Sequence, residues 1–158
     1  METSRRNILT RTAQAAAMAA GGAMIAGAAS AQTAPVEKRN PLNPAPPANG
    51  QRPLFSGATA LGNLLFLAGV GYHQPGEIEV HTREVLRQME QTLVKAGSSL
   101  HKVMKVNVYL HNLAHYDRMN AVYRSFDWGM VPPVRTTIAA ANGIPGDSLI
   151  EIDMIAYI

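Results

Sequence analysis

Cysteine is absent from the 158 residues. Disulfides, thiolate zinc sites and a cysteine nucleophile are therefore excluded together. Charge is sparse, at 16% Asp, Glu, Lys and Arg. It is also unevenly placed. Residues 1–31 carry Arg5, Arg6 and Arg11 against Glu2, and removing these from 14 basic and 11 acidic side chains leaves a net charge of +1. A body so close to neutral has no electrostatic footprint for nucleic acid. No Gly-x-Ser-x-Gly is found, so a serine triad on a nucleophile elbow has no support. Gly69-x-Gly71 with Gly76 fails as a dinucleotide fingerprint, because the second interval is too long and Pro75 disturbs the helix start. No internal repeat is found. With 47% apolar residues over this length, one domain with a substantial core is expected, and wholesale disorder is excluded.

The first segment reads as an address. Residues 4–10, Ser-Arg-Arg-Asn-Ile-Leu-Thr, resemble a twin-arginine export signal, and no charged side chain follows between Thr12 and Val36. Ala29-Ser30-Ala31 offers a small-residue cleavage site. The apolar run is short, alanine-dominated and broken by Gly21, Gly22 and Gly27, unlike a spanning helix of about 20 strongly apolar residues. Residues 1–31 are therefore expected to be a signal peptide. The mature chain is placed in the periplasm, meeting a membrane only during export. Residues 32–52 are expected to form a spacer, since six of the ten prolines fall between 33 and 53.

Residues 53–158 carry the domain. Leu54–Ala58 suits a short strand. Asn63–Tyr72 is a near-continuous apolar run, which predicts a strand covered on both faces. Val85, Leu86, Met89 and Leu93 recur at helical spacing, and Gly97 stands where a C-terminal cap belongs. Met104, Val106, Val108 and Leu110 alternate with Lys105, Asn107 and Tyr109, as in a half-buried strand. A second helix is predicted over Tyr116–Phe126, with Met119, Tyr123 and Phe126 inward, and it ends before Pro132-Pro133. Strands over Val134–Ala141 and Leu149–Tyr157 close the chain. This order predicts an α+β sandwich, whose apolar outer strand face is buried against copies of itself.

Among candidate site residues, His111 and His115 have the spacing of two metal ligands on one helical turn. They fall at a strand-to-helix connection with no third ligand signalled, so no metal is expected. Arg135 is different. It starts a strand of Val, Thr, Ile and Ala, where a guanidinium is costly unless it meets an anion, and its planar fork matches a carboxylate. Glu151 lies in an equally apolar strand, taken to face Arg135. A structural ion pair, within or between subunits, and a ligand site are equally consistent with those residues.

Pro133-Val134-Arg135-Thr136-Thr137, then Ile144-Pro145, then Leu149-Ile150-Glu151-Ile152-Asp153 resemble the C-terminal signature of the RidA family, also called YjgF or L-PSP. Gly62-Asn63-Leu64-Leu65-Phe66-Leu67-Ala68-Gly69 resembles its second strand. Lys105–Leu110 and Met119–Tyr123 resemble its middle strand and second helix. The resemblance covers everything after the spacer, in order. It implies a chorismate-mutase-like α+β domain, a mixed sheet with two helices on one face, assembled as a homotrimer with clefts between neighbouring chains. It further implies hydrolysis of enamines or imines, such as 2-aminoacrylate, to a keto acid and ammonia, without cofactor. In that reading Arg135 anchors a small carboxylate-bearing ligand and Glu151 positions water or shuttles a proton. Phe55, Ala68, Gly69, Tyr72, Asn120 and Thr137 line the cleft. Phe55 stands where such deaminases usually have tyrosine, Ala68 replaces serine and Val70 replaces glutamine. A shortened segment after Gly71 is expected to bring Tyr72 and His73 to the cleft mouth. These departures point to a larger or more apolar ligand. The alternatives are a non-catalytic trimer that binds small carboxylates and, less favoured, an endoribonuclease.

Overall fold

The computed structural model describes residues 36–158. The expected signal peptide and the start of the spacer lie outside the described residues. Six strands form one mixed sheet in the order β1-β2-β3-β6-β4-β5. They are β1 (Lys38–Arg39), β2 (Ala58–Leu61), β3 (Leu64–Gly71), β4 (Val103–Leu110), β5 (Val134–Ala139) and β6 (Ile150–Tyr157). Only β4 and β5 pair in parallel; every other neighbour is antiparallel. Helices α1 (Ile78–Lys95) and α2 (Tyr116–Tyr123) provide the two long crossings. Both pack on one face, forming the α+β layers the element order predicts.

The buried face follows from alternation. Leu65 and Leu67 on β3, Val106, Val108 and Leu110 on β4, and Ile150, Ile152, Met154 and Ala156 on β6 all point under the helices. They meet Ile78, Val85, Leu86, Met89 and Leu93 of α1 and Met119 of α2. Helix α1 ends as its sequence predicts. Gly97 has φ +84°, its amide donates to the Val94 carbonyl, and the Ser98 amide donates to Leu93. These two bonds satisfy carbonyls the helix leaves unpaired, and the positive φ is why glycine stands there.

Several expectations change. The spacer is not wholly separate: Lys38 and Arg39 add an edge strand to β2, and Leu42 packs against the core. The first domain strand begins at Ala58, not Leu54, and Leu54 and Phe55 are exposed. Strand β3 alternates between buried and exposed residues, with Leu64 and Phe66 more than 40% exposed, so only one face is covered within the chain. On β4, Val103 replaces Met104 as the inward residue, because the register slips by one between Val103 and Lys105 opposite β6. Helix α2 stops at Tyr123; Phe126 still packs on the core from the following turn, and Trp128 stacks on Tyr123 at 4.5 Å.

Candidate functional site

Arg135 and Glu151 do not face each other. Strand β5 pairs only with β4, and β6 lies on the far side of β4. Arg135 stands opposite Val106 in a parallel register, which directs it to the helix-covered face. Glu151 stands opposite Tyr109 and Gly71, on the open face. The two side chains project from opposite sides of the sheet, two strands apart. An ion pair within the chain is thereby excluded.

Around Arg135 the site is aromatic. The guanidinium carbon lies 4.6 Å from the centre of the Tyr123 ring and 5.9 Å from that of Tyr116. These residues and Asn120 share one face of α2, at spacings of four and three. Among the described residues no carboxylate lies within 4.0 Å of Arg135. Two other polar atoms share this side of the sheet without a partner: the Tyr123 hydroxyl and Thr137 Oγ1, both buried. Burial raises the Tyr123 phenol to about 12, so it stays protonated at neutral pH. The group is a half-buried cation without a counter-ion, flanked by two unsatisfied hydroxyls. An oxyanion would satisfy all three.

The open face carries the opposite sign. Strand β3 bulges between Leu67 and Val70, which puts Ala68 and Gly69 out of regular register beside β6. The Glu151 carboxylate lies directly on Gly69: a Cβ there would sit 2.9 Å from Glu151 Cδ and 3.1 Å from Cγ, and closer still to Oε1. Glu151 and Tyr109 line a cleft of about 200 Å³ with Ala140, Gly143, Ile144 and Pro145. Asp153, two residues along, is satisfied at both oxygens. Asn107 Nδ2 donates to Oδ1 at 2.8 Å and Tyr109 Oη to Oδ2 at 2.9 Å. That bond pushes the Tyr109 phenol up, with lesser contributions from burial and the charge of Glu151. Glu151 has no hydrogen-bond partner among the described residues and opens into the cleft.

The expected residues therefore divide into two sets. Arg135, Thr137 and Asn120 gather on the helix side, and Glu151, Gly69 and Ala68 on the open side. Phe55 joins neither: it is 72% exposed and lines a groove of about 310 Å³ with Asn40, Leu42 and the proline-rich arm. Tyr72 does not reach the Glu151 cleft. Its ring packs edge-on against the buried His81 at 5.2 Å. His111 and His115 flank a single turn of 3-10 helix, Leu113–His115. Tyr109 was read only as the outward residue of a strand and Tyr123 only as core. Their roles as neighbours of Glu151 and Arg135 depend on strand order and on where α2 crosses β5, which periodicity does not encode.

Comparison with known proteins agrees with this architecture. Residues 46–158 match the family model described as Endoribonuclease L-PSP. The RutC family protein of Pyrococcus horikoshii is 37% identical over 118 residues, covering 69% of this chain and 92% of its own. The chloroplastic Reactive Intermediate Deaminase A of Arabidopsis thaliana is 31% identical over 109 residues, covering 65% of this chain and 57% of its own. Among solved structures, a YjgF-family protein from Neisseria meningitidis superimposes with a TM-score of 0.62 at 27% identity, over 68% of this chain and 90% of that one. The chain belongs to the RidA/YjgF/L-PSP family.

Proposed function

We propose that the protein hydrolyses a carboxylate-bearing imine or enamine to a keto acid and ammonia, in a cleft shared by two copies of the chain. One observation carries this reading: Arg135 and Glu151 lie on opposite faces of the sheet, each without a partner. The site is complete only when the open face of one copy meets the β5 edge of another. Exposed Leu64, Phe66 and Ile138 support burial of that face, and closure as a homotrimer follows the family resemblance.

Arg135, stacked under Tyr123, holds the substrate carboxylate with two parallel hydrogen bonds. Thr137 and Asn120 take remaining polar groups. Glu151 of the adjoining copy accepts a proton from water as it adds to the imine carbon, then returns it to nitrogen so that ammonia leaves. An imine carbon needs an oriented water and a proton relay, and these residues supply both. The relative named Reactive Intermediate Deaminase A supports the reaction class. The loss of a tyrosine hydroxyl at Phe55 and the aromatic wall of Tyr116 and Tyr123 favour substrates bulkier than 2-aminoacrylate. Arg5-Arg6 and the uncharged stretch after Thr12 support export to the periplasm.

The test is complementation. Arg135→Ala and Glu151→Gln are each expected to abolish ammonia release from imines made in situ by an amino-acid oxidase. When the two variants are unfolded, mixed in equal amounts and refolded, about a quarter of the shared clefts should regain both groups in a closed symmetric assembly. Recovered activity supports the reading. Two variants that refold and remain inactive when mixed would refute the shared cleft, and an inactive wild type would refute the reaction.

A further inference from the structure

We propose that His81 is a positioning residue for Glu151, holding the entry of β6 in place only while its ring is neutral. The inference rests on the reading of Glu151 as the proton-handling group. His81 lies in α1 and is 2% exposed. The Leu149 amide donates to its Nδ1 at 3.2 Å, so that nitrogen carries no proton. The other ring nitrogen faces the Gln74 carbonyl, which fixes the neutral tautomer with its proton on Nε2. His81 thus ties α1 and the turn after β3 to the residue two places before Glu151.

The segment it holds is strained. Gly146 and Asp147 have φ of +71° and +60°, a conformation that is costly for Asp147. Three further bonds brace it. His73 Nδ1 meets the Gly146 carbonyl at 2.8 Å, the Tyr72 amide donates to Ser148 Oγ at 3.0 Å, and Ser148 Oγ donates to the Ile150 carbonyl at 2.6 Å. Gly71, next to Tyr72, is the β3 partner of Glu151. The clasp therefore grips both strands at the level where Glu151 leaves the sheet.

A proton on Nδ1 would face the Leu149 N–H, donor against donor, and the bond would be lost. The surroundings resist that proton. Burial is the main cause of a lowered His81 pKa, and the charges of His73 on the turn and His115 before α2 act in the same direction. Asp147 lines the same small cavity from the loop before β6. Tyr72 meets the ring edge-on, and Glu77 and Glu79 at the start of α1 are occupied by Arg118 of α2. Below the His81 pKa, Glu151 should lose its place over Gly69 before the fold is lost.

The experiment combines NMR with kinetics on the full chain. The His81 ring and the Glu151 side-chain carboxyl carbon are followed from pH 8 downward, in wild type and in His81→Gln, whose amide offers an acceptor and a donor without titrating. In wild type the Glu151 signal should show a step coincident with His81 protonation, and His81→Gln should lack that step. The acid limb of kcat/KM for imine hydrolysis should move down by about one pH unit in His81→Gln, with kcat at pH 8 within about 2-fold of wild type. His81→Phe should lower kcat about 10-fold while far-UV circular dichroism is retained. If that variant fails to fold, the glutamine variant and the wild-type titration still decide. A Glu151 signal and an acid limb unchanged in His81→Gln would overturn the positioning role while leaving the hydrolase reading intact. Coupled titration in a protein that hydrolyses no imine would overturn the hydrolase reading and leave the clasp standing.

Discussion

Gly69→Ala is the sharpest test of where Glu151 acts. The added methyl would occupy the space of the Glu151 carboxylate, at 2.9 Å from Cδ and closer to Oε1. Gly69 is not in the positive-φ region, so alanine meets no backbone penalty there. The atoms it displaces are the far end of a flexible side chain that opens into a cleft. Moving Glu151 to another rotamer costs about 0.5–1.5 kcal/mol. Replacing glycine also removes unfolded-state freedom worth about 0.4–1 kcal/mol. These terms nearly cancel, so stability should stay within about 1 kcal/mol and Tm within about 4–8 °C of wild type. Catalysis has no such compensation. A carboxylate misplaced by about 1 Å should cost about 100-fold in kcat, while KM, set by the untouched Arg135, changes far less. The assay is ammonia release from in situ imines, paired with thermal unfolding. In a Glu151→Ala background, Gly69→Ala should add little further loss, because the group it displaces is already absent. A folded Gly69→Ala protein with wild-type kcat would refute the reasoning. Destabilisation by several kcal/mol would also refute it, because rigid atoms rather than the carboxylate would then be in the way.

Three further outcomes are expected. Tyr123→Phe removes a buried hydroxyl without a partner and should raise the stability of the ligand-free protein by about 1 kcal/mol in chemical denaturation. The folded phenol titrates at about 12, against about 10 unfolded, so wild type should lose stability as pH rises from about 10 to 12, and the variant should lack that slope. Met89→Ala, at a fully buried position of α1, should cost about 2–5 kcal/mol by the same measurement. Arg135→Lys keeps the charge but loses the fork and the stacking on Tyr123; KM should rise about 10-fold or more with kcat less affected, and an unchanged KM would argue against carboxylate anchoring.

Much of the fold was legible because local rules agree with it. The stripe Val85, Leu86, Met89 and Leu93 marks the inner face of α1, and Gly97 closes it with a positive φ. Alternation along β6 placed Ile150, Ile152, Met154 and Ala156 inward before any coordinates. Local rules failed where pairing intervened. The bulge at Val103 and Met104 inverts which residue is buried, and only the partner strand β6 reveals it. The edge strand Lys38–Arg39 has no signature of its own; it exists because β2 offers unpaired backbone groups.

The sequence by itself determined the elements, the inward faces and the two residues that carry the candidate chemistry. An arginine and a glutamate in apolar strands stand out because their burial is costly without a partner. Tertiary structure alone decided that these two are not each other's partner. Strand order puts β4 between them, and the pleat sends Arg135 beneath α2 and Glu151 to the open face. Pleat and register are properties of pairing, set by contacts between residues distant in the chain. The same holds for His81, an unremarked helix residue until the fold brings the Leu149 amide to its ring.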